Sequence, residues 1–299
     1  MKPDFIFTVP CLKNAAFANW IVSALTALCC AMAMQPARAG QSPQFNVATF
    51  NLRYSNAADG PNAWPFRREA VKALIRYHEF DILGTQEGLA DQIDDLAAMT
   101  EFAYVGVGRD DGRRAGEFAA IFYRKSRFAV EQNGDFWLSE TPDRPGKGWD
   151  ARCCNRLATW ARLRDRRTGT RFYVFSAHFD HEGTVARRES AHLMVRKMRE
   201  LSGKLPLLCL GDFNATPESE PIAIMNAAYR DAYAISTQPP YGPAGTFNDF
   251  KVDVEPTRRI DYLFVNSRVT VLKYATLKDS IGARFPSDHF PVVARVLLH

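Results

Sequence analysis

The stretch Leu207-Leu208-Cys209-Leu210-Gly211-Asp212-Phe213-Asn214 carries the most information about the fold of this chain. Its apolar run ends at Gly211, as is typical of a buried β-strand, and Gly211 would permit the close approach of a ligand. In extended backbone, side chains two positions apart point to one face, so the Asp212 carboxylate and the Asn214 amide can meet at one substrate atom. Because Gly-Asp-x-Asn is also a common turn composition, the stretch becomes informative only together with the rest of the chain.

Five further segments place polar residues at the end of an apolar, β-branched or aromatic run. They are residues 49–53, 86–87, 176–181, 259–262 and 287–289. In this order, the six motifs resemble the endonuclease/exonuclease/phosphatase superfamily of metal-dependent phosphoesterases over about residues 45–298. The resemblance implies an α/β fold, a four-layer sandwich of two mixed β-sheets packed face to face with helices on the outside.

Hydrophobic periodicity predicts the main elements of this fold. Strands are expected over residues 45–51, 82–86, 118–124, 157–163, 172–178, 207–210, 260–265, 269–275 and 291–297. One helix is expected after Pro65, and a second from near Thr184 to Gly203. The longest irregular segment, residues 139–155, is rich in proline, glycine and charge, and a segment of this kind is usually functional or disordered.

Carboxylates at strand ends offer oxygen ligands to a hard cation such as Mg²⁺. Glu87 follows an apolar run and is, by the resemblance, the principal metal ligand. The resemblance places Asn51 beside Glu87, and Asp288 completes or neighbours the same site. The resemblance also implies Mg²⁺ as the cofactor, with Mn²⁺ as the alternative ion. Taken alone, Glu87 or Asn51 could equally be an ordinary turn cap.

The remaining motif residues supply acid–base and phosphate-binding groups. By the resemblance, Asp212 activates the attacking water and Asn214 holds the phosphate or that water. His289 holds a nonbridging phosphate oxygen, and Asp261 orients its ring through one nitrogen. His178 resembles a second histidine that faces the phosphate or the leaving group in the deoxyribonuclease, deadenylase and sphingomyelinase branches.

Four other residues are candidates for substrate binding: Tyr123, Arg156, Trp137 and Trp149. Tyr123 and Arg156 lie where relatives place phosphate-facing groups, although strand tyrosines and arginines are as often structural. Trp137 and Trp149 bracket the irregular segment, and either ring could stack on a base or sugar if that segment borders the site. The alternative is that both tryptophans pin the segment to the core.

The first 39 residues are typical of a cleavable signal peptide. An apolar stretch over residues 20–34 precedes Ala37-Arg38-Ala39, which has the small residues of a signal-peptidase site. We expect cleavage after Ala39, a single domain over residues 40–299, and a periplasmic or secreted protein without a transmembrane span. An uncleaved membrane anchor is the alternative.

Three cysteines remain after this cleavage: Cys153, Cys154 and Cys209. An odd number with two adjacent members does not make a disulfide framework, although one bridge using Cys153 or Cys154 stays open. Cys209 lies inside the apolar run before Asp212 and is expected to be an inert core residue.

These observations predict a monomeric, metal-dependent phosphoesterase that hydrolyses a phosphodiester or phosphomonoester by direct attack of water. Nucleic acid, a phospholipid head group and a sugar phosphate remain open as substrates, because a net charge of +5 over 299 residues is too mild to indicate nucleic-acid binding. Two other classes also remain open. One is a glycosidase-type hydrolase with Glu87 and Asp212 as paired carboxylates, which should survive EDTA, and the other is a non-catalytic binding module of the same fold.

Overall fold

The computed structural model describes residues 42–299, so the signal peptide predicted over residues 1–39 lies outside the described part. Residues 42–299 form two six-stranded sheets. The first contains β1 (Gln44–Asn51), β2 (Ile82–Gln86), β3 (Phe102–Val105), β4 (Ile121–Arg124), β11 (Val269–Thr276) and β12 (Val292–Leu298). The second contains β5 (Phe128–Trp137), β6 (Leu157–Asp165), β7 (Arg171–His178), β8 (Leu207–Asp212), β9 (Arg230–Asp231) and β10 (Asp261–Val265).

Both sheets are mixed. The strand order is β11-β12-β1-β2-β4-β3 in the first sheet and β5-β6-β7-β8-β10-β9 in the second. In each sheet one central pair is parallel, β1 with β2 and β7 with β8, while the remaining pairs are antiparallel. The carboxyl ends of the two parallel pairs therefore carry residues 51, 86, 178 and 212, all within or next to the motifs noted in the sequence.

Four helices cover the outer faces: α1 (Trp64–Tyr77), α2 (Ala90–Ala97), α3 (Thr184–Ser202) and α4 (Glu220–Ala228). The short α5 (Ala232–Ile235) packs against the core between the sheets, and a 3-10 helix spans Ala57–Asn62. Pro65 lies in the first turn of α1, where its missing N–H costs no hydrogen bond. Gly203 ends α3 at a φ of 53°. Among residues 42–299, no helix is long and apolar enough to cross a membrane.

Three apolar clusters define the four layers. Val47 and Ile82 from the first sheet share one cluster with Leu208 and Leu210 from the second, so this cluster is the core between the sheets. A second cluster joins α3 and α4 to the outer face of the second sheet, and a third joins α1 and α2 to the first. Side chains alternate between the two faces of each strand, which lets a single strand contribute to two clusters. The predicted fold is confirmed.

The structure differs from the predicted elements in a few places. The strand predicted to begin at Phe118 begins at Ile121, because Phe118 makes isolated bridges to Gly88 and Gly108 instead of joining a ladder. The elements β3, β5, β9, α2, α4, α5 and the 3-10 helix have no counterpart among the predicted ones. β5 is a sheet-edge strand with the polar sequence Glu131-Gln132-Asn133-Gly134-Asp135 in its middle and a register shift between Val130 and Gln132, so its apolar alternation is broken.

Candidate active site

A cavity of about 760 Å³ opens where the carboxyl ends of β1, β2, β7 and β8 meet. β10 runs antiparallel to β8, and this pairing places Asp261 directly opposite Asp212. On the other side of β8, the parallel register places His178 beside Asp212. The segment before β12 adds Asp288 and His289, which line the cavity with Glu87. The strand ends therefore bring the predicted catalytic and metal-binding residues into one place.

Asn51 ties the two sheets together at the cavity. Its amide nitrogen donates hydrogen bonds to Glu87 Oε1 at 3.0 Å and to Asp212 Oδ2 at 2.9 Å. Its side-chain oxygen accepts from the backbone N–H of Arg53 at 2.9 Å, which fixes the orientation of the amide. One buried side chain thus sets the spacing between two carboxylates that come from different sheets.

Two of the site residues have left-handed backbone, at φ 62° for Glu87 and φ 47° for Asn214. Non-glycine residues in this region carry strain, which is often found at functional sites. Glu87 is held there by the Tyr54 N–H, which donates to Oε2 at 3.1 Å, and Asn214 by its own N–H, which donates to Asp212 Oδ1 at 2.9 Å. Gly211 serves a different purpose from the one predicted, because a Cβ there would overlap the carbonyl oxygen of Ala177 on β7 rather than a ligand.

The donor set fits a divalent cation. Ligand atoms of Glu87, Asp212 and His289 lie within 4.8 Å of one another, and Asp288 lines the same cavity. Burial raises the pKa of Asp212, with Asp261 adding to the effect, and burial raises the pKa of Asp288 to about 6. Asp261 Oδ1 is buried without a hydrogen-bond partner among the described residues. A cation that prefers oxygen ligands would offset the cost of burying so many carboxylates together.

His289 and Asp261 form a buried pair. His289 Nδ1 lies 2.8 Å from Asp261 Oδ2, and the other ring nitrogen lies 3.8 Å from Asp212 Oδ2. Burial alone would lower the pKa of His289, but the Asp261 and Asp212 carboxylates raise it well above its usual value. These two carboxylates therefore favour the charged form of His289, in which the outer ring nitrogen offers an N–H to an anion in the cavity.

His178 has the opposite character. Burial, with Arg156 adding to it, lowers the pKa of His178 to about 3, so the ring is neutral. Its Nε2 lies 3.6 Å from Asp212 Oδ2 and 3.3 Å from the Asn214 amide nitrogen, which also donates to the carbonyl of Phe179 at 3.0 Å. Asp212 therefore lies between a charged histidine on one side and a neutral one on the other.

Arg156 contacts both His178 and His181 on one side of the cavity. Its Nη1 lies 3.0 and 2.9 Å from the two ring nitrogens of His178, and its Nη2 lies 2.7 Å from His181 Nδ1. Asp180 lies 3.5 Å from Arg156 Nε and accepts from the backbone N–H groups of Glu182 and Gly183, so it also ties down the turn before α3. Both Arg156 and His181 line the cavity.

The structure does not bring three of the predicted substrate contacts to the cavity. Tyr123 lies on β4 and packs against the core between the sheets. Trp137 is buried against Ala119 and Leu157, and its indole N–H donates to the carbonyl of Arg109 at 2.7 Å. The Trp149 ring packs against the cluster beneath α3 and α4. The alternative interpretation holds for both tryptophans, because each anchors the segment over residues 139–155 instead of facing a ligand.

Several residues that line the cavity were missed in the sequence. They are Arg53, Tyr54, Asp59, Arg109, Glu117, Phe247, Asp249, Phe250, Arg258 and Ile260. Arg53 lies within the motif that contains Asn51, and Glu117 immediately precedes an apolar run, so both carried a usable signal. Arg109 and residues 247–250 lie in irregular segments, where the sequence offers no periodicity to indicate which side chain faces the site.

Cys153 and Cys154 also line the cavity, and their sulfurs are bonded to each other. The bridge left open by the sequence is therefore formed within the adjacent pair. Cys209 is a free, fully buried thiol, and burial raises its pKa. A buried thiol that resists ionisation is unreactive, as expected for a core cysteine.

Comparison with known proteins agrees with this fold. A structure from Bacteroides vulgatus, described as an endonuclease/exonuclease/phosphatase, is 40% identical, covers 86% of this chain and 100% of that chain, and gives a TM-score of 0.82. A mannosyl-6-phosphatase from Bacteroides thetaiotaomicron is 39% identical, covers 84% of this chain and 99% of that chain, and gives a TM-score of 0.79.

A curated relative, Nocturnin from Drosophila melanogaster, is 27% identical over 215 residues, which is 58% of this chain. The chain spans about a third of the length of that relative, since the match covers 31% of it. The model of the Endonuclease/Exonuclease/phosphatase family matches residues 44–289, which include every motif residue of the cavity. The chain belongs to the endonuclease/exonuclease/phosphatase family.

Proposed function

We propose that this protein is a divalent-metal-dependent hydrolase that cleaves a phosphate ester by direct attack of water. The observation that carries the proposal is the convergence of Glu87, Asp212 and His289 within 4.8 Å, with the Asn51 amide bonded to both carboxylates. Hydrolysis of a phosphate ester needs positive charge to neutralise the developing negative charge, a base for water, and a donor to the phosphate oxygens. The cavity provides groups for each.

Glu87 and Asp288 would hold the cation, with Asn51 beside them, and Mg²⁺ is the ion that this set of oxygen donors favours. When bound, the cation would supply the charge that stabilises the transition state. Asn51 donates one N–H to each carboxylate and thereby fixes the orientation in which Glu87 would hold the cation and Asp212 would accept a proton.

Asp212 accepts the proton of the attacking water at Oδ2, the oxygen that lies near both histidines. His289, charged through Asp261, donates from its outer nitrogen to a nonbridging phosphate oxygen. Neutral His178 and the Asn214 amide lie on the opposite side of Asp212, where they orient the phosphate or the leaving oxygen. Arg156 supplies further positive charge next to His178.

A sugar phosphate is the substrate class that we favour. The 39% identical relative is a mannosyl-6-phosphatase, and that similarity covers nearly all of the relative's chain. A cavity of about 760 Å³ has the size of a small-molecule site. We also propose that the protein acts as a monomer, because a single chain is sufficient to bring Glu87, Asp212 and His289 together.

The geometry disfavours a glycosidase. Retaining glycosidases place their two carboxyl groups about 5 to 5.5 Å apart, and inverting ones about 6.5 to 9.5 Å, on either side of the scissile bond. Here the amide nitrogen of Asn51 lies between Glu87 and Asp212 and donates to both, so a protein side chain takes the place that the scissile bond would need.

We further propose that the protein is exported and acts in the periplasm or outside the cell. The proposal rests on the charged, apolar and small-residue segments before Gly40. N-terminal sequencing of the exported protein tests it, and the expected first residue is Gly40. A membrane-bound product that retains Met1 would refute both cleavage and export in soluble form.

The proposed activity is tested by a substrate panel with the mature protein. The panel contains hexose 6-phosphates, an inositol phosphate, a phosphocholine diester and single-stranded DNA, each with Mg²⁺, with Mn²⁺ and with EDTA. We expect metal-dependent release of phosphate from the hexose phosphates. Cleavage of DNA or of the phosphocholine diester alone would refute the substrate class, and equal activity in EDTA would refute the metal dependence.

A further inference from the structure

A charged pair lies at the base of the loop between β3 and β4. Gly108 and Phe118 bridge this loop, and the backbone N–H of Arg109 donates to the carbonyl of Glu117 at 3.0 Å. The two side chains also meet, with Arg109 Nη1 2.5 Å from Glu117 Oε2. Backbone and side chains therefore hold Arg109 and Glu117 in one fixed arrangement.

The loop is anchored from a second direction. The Trp137 indole N–H donates to the Arg109 carbonyl at 2.7 Å, and the Asn155 amide approaches the same oxygen at 3.3 Å. These contacts join the loop to β5 and to the end of the irregular segment beside it. A side chain held in this way loses little conformational entropy when it binds a ligand.

The two oxygens of Glu117 have different surroundings. Oε2 faces Arg109, with His178 Nδ1 at 3.5 Å and Arg156 Nη1 at 4.0 Å. Oε1 accepts no hydrogen bond from the residues that the structure describes, and Glu117 lines the cavity with 14% of its side chain exposed. One oxygen thus fixes the carboxylate, and the other is available to a ligand.

Glu117 lies on the far side of His178 from Asp212. It approaches His178 at Nδ1, whereas Asp212 approaches the same ring at Nε2. A phosphate bound between His289 and His178 would therefore direct its leaving group, or a substituent of it, towards Glu117 and Arg109. A carboxylate beside a guanidinium provides an acceptor and donors side by side, which matches hydroxyl groups that both donate and accept.

We propose that Glu117, held by Arg109, is a specificity-determining residue that accepts a hydrogen bond from a hydroxyl group of a polyhydroxylated leaving group. The inference rests on the proposed function, because it assigns the substrate class of the same site. A leaving group without hydroxyls leaves Oε1 of Glu117 desolvated and without a hydrogen-bond partner. Sites built to bind a hydroxyl reject analogues that lack it much more strongly than apolar pockets reject a size difference.

The test compares two esters of the same carbon number, mannose 6-phosphate and n-hexyl phosphate, with the wild type, Glu117→Gln and Glu117→Ala. In Glu117→Ala we expect the ratio of kcat/KM for the sugar ester to kcat/KM for the alkyl ester to fall about 10- to 100-fold, mainly through KM. Glu117→Gln keeps an acceptor oxygen and the shape of the side chain, so its ratio should be intermediate. If Glu117→Ala does not fold, Glu117→Gln carries the comparison.

Glu131→Gln is the matched control. Glu131, like Glu117, forms ion pairs with arginines, in this case Arg162, Arg164 and Arg171. Arg171 begins β7 whereas His178 ends it, so Glu131 lies at the end of β7 away from the cavity. We expect both kinetic constants of Glu131→Gln to match the wild type for both esters. A parallel loss for both esters in the Glu117 variants would show that Glu117 only supports Arg156 and His178, and would overturn the proposal.

Binding of mannose 6-phosphate, followed by calorimetry in EDTA, provides a readout that does not need turnover. Binding about tenfold or more weaker in Glu117→Ala supports the assignment, and equal binding overturns it. If the wild type hydrolyses neither ester in Mg²⁺, the proposed function fails, and the calorimetric comparison still decides the role of Glu117.

Discussion

The Asn51 amide donates a 2.9 Å hydrogen bond to Asp212 Oδ2 across the boundary between the two sheets. Asn51 ends β1 in the first sheet, and Asp212 ends β8 in the second. Because the same nitrogen also donates to Glu87, the relative position of the two sheets fixes the distance between the two carboxylates. Packing of the core between the sheets is therefore coupled directly to the geometry of the site.

Asn51→Ala should weaken both the site and the fold. The substitution leaves the buried Asp212 carboxylate and the half-buried Glu87 carboxylate without their shared donor, and we expect the free energy of unfolding to fall by about 1 to 3 kcal/mol. The affinity for Mg²⁺ should fall as well, because Glu87 loses its orientation. Asn46→Ala, at the opposite end of β1, is the control. An unchanged Mg²⁺ affinity in Asn51→Ala, by calorimetry, would contradict this account.

Glu87→Gln should remove metal binding and activity while the fold remains. Gln has nearly the same volume as Glu, but it lacks the charge that attracts a hard cation. Calorimetric titration with Mg²⁺ should give no measurable heat of binding, while the melting temperature without metal should fall only slightly, because the amide can still accept one of the two hydrogen bonds that Asn51 and Tyr54 donate to Glu87. Glu101→Gln removes a surface carboxylate and should bind Mg²⁺ as the wild type does. A Glu87→Gln protein that binds metal normally and turns over would rule out Glu87 as the principal ligand.

Asp261→Asn should lower the pKa of His289, so that the ring loses its positive charge. The Asp261 carboxylate opposes the effect of burial on the pKa of His289, so without its charge that pKa should fall towards or below the usual value. We expect a neutral ring at pH 7 and a decrease in kcat of about 10- to 100-fold, because an imidazolium donor to the phosphate is lost. Nitrogen chemical shifts of the ring report its charge. A ring that stays protonated at pH 7 in the variant would refute the assignment of Asp261.

His178 should make the metal-free protein less stable in acid. Burial lowers the pKa of His178 to about 3, whereas in the unfolded chain it has its ordinary value of about 6.5. Between these values only the unfolded chain binds the proton, so stability contributed by His178 is present above pH 6.5 and is lost as the pH falls towards 3. The effect is on the order of a few kcal/mol.

Urea unfolding in EDTA at a series of pH values, for the wild type and for His178→Gln, isolates this contribution. The wild type should lose stability relative to the variant between pH 6.5 and pH 4. A constant difference between the two proteins across this range would show that His178 titrates normally in the folded state.

Much of the site could be predicted because strand ends have a readable signal. Asn51, His178 and Asp212 are the last residues of β1, β7 and β8, and each follows an apolar run that reveals the strand. Glu117 precedes an apolar run, but Arg109 has no such signal, and the contact between them depends on the closure of a loop and on the pairing of β3, a short strand with only one buried residue. The sequence offers no pattern that predicts such a pairing.

Trp137 illustrates a second limit. Its aromatic character suggested a substrate contact, but its role depends on which face of β5 it occupies. The register shift between Val130 and Gln132 changes the alternation along that strand, so the face could not be predicted from the sequence. The structure places the ring in the core and its N–H on Arg109, where it supports the site without touching the cavity.

The steady-state kcat of Asp212→Asn at saturating Mg²⁺, on the ester that the wild type hydrolyses best, tests the central claim most directly. The amide keeps the shape of the carboxylate but cannot accept the proton of the attacking water. Loss of a positioned base typically costs about 10²- to 10⁴-fold, and we expect a decrease in kcat of at least about 100-fold with a much smaller change in KM. A kcat within a factor of about two of the wild type would contradict the assignment of Asp212 as the base.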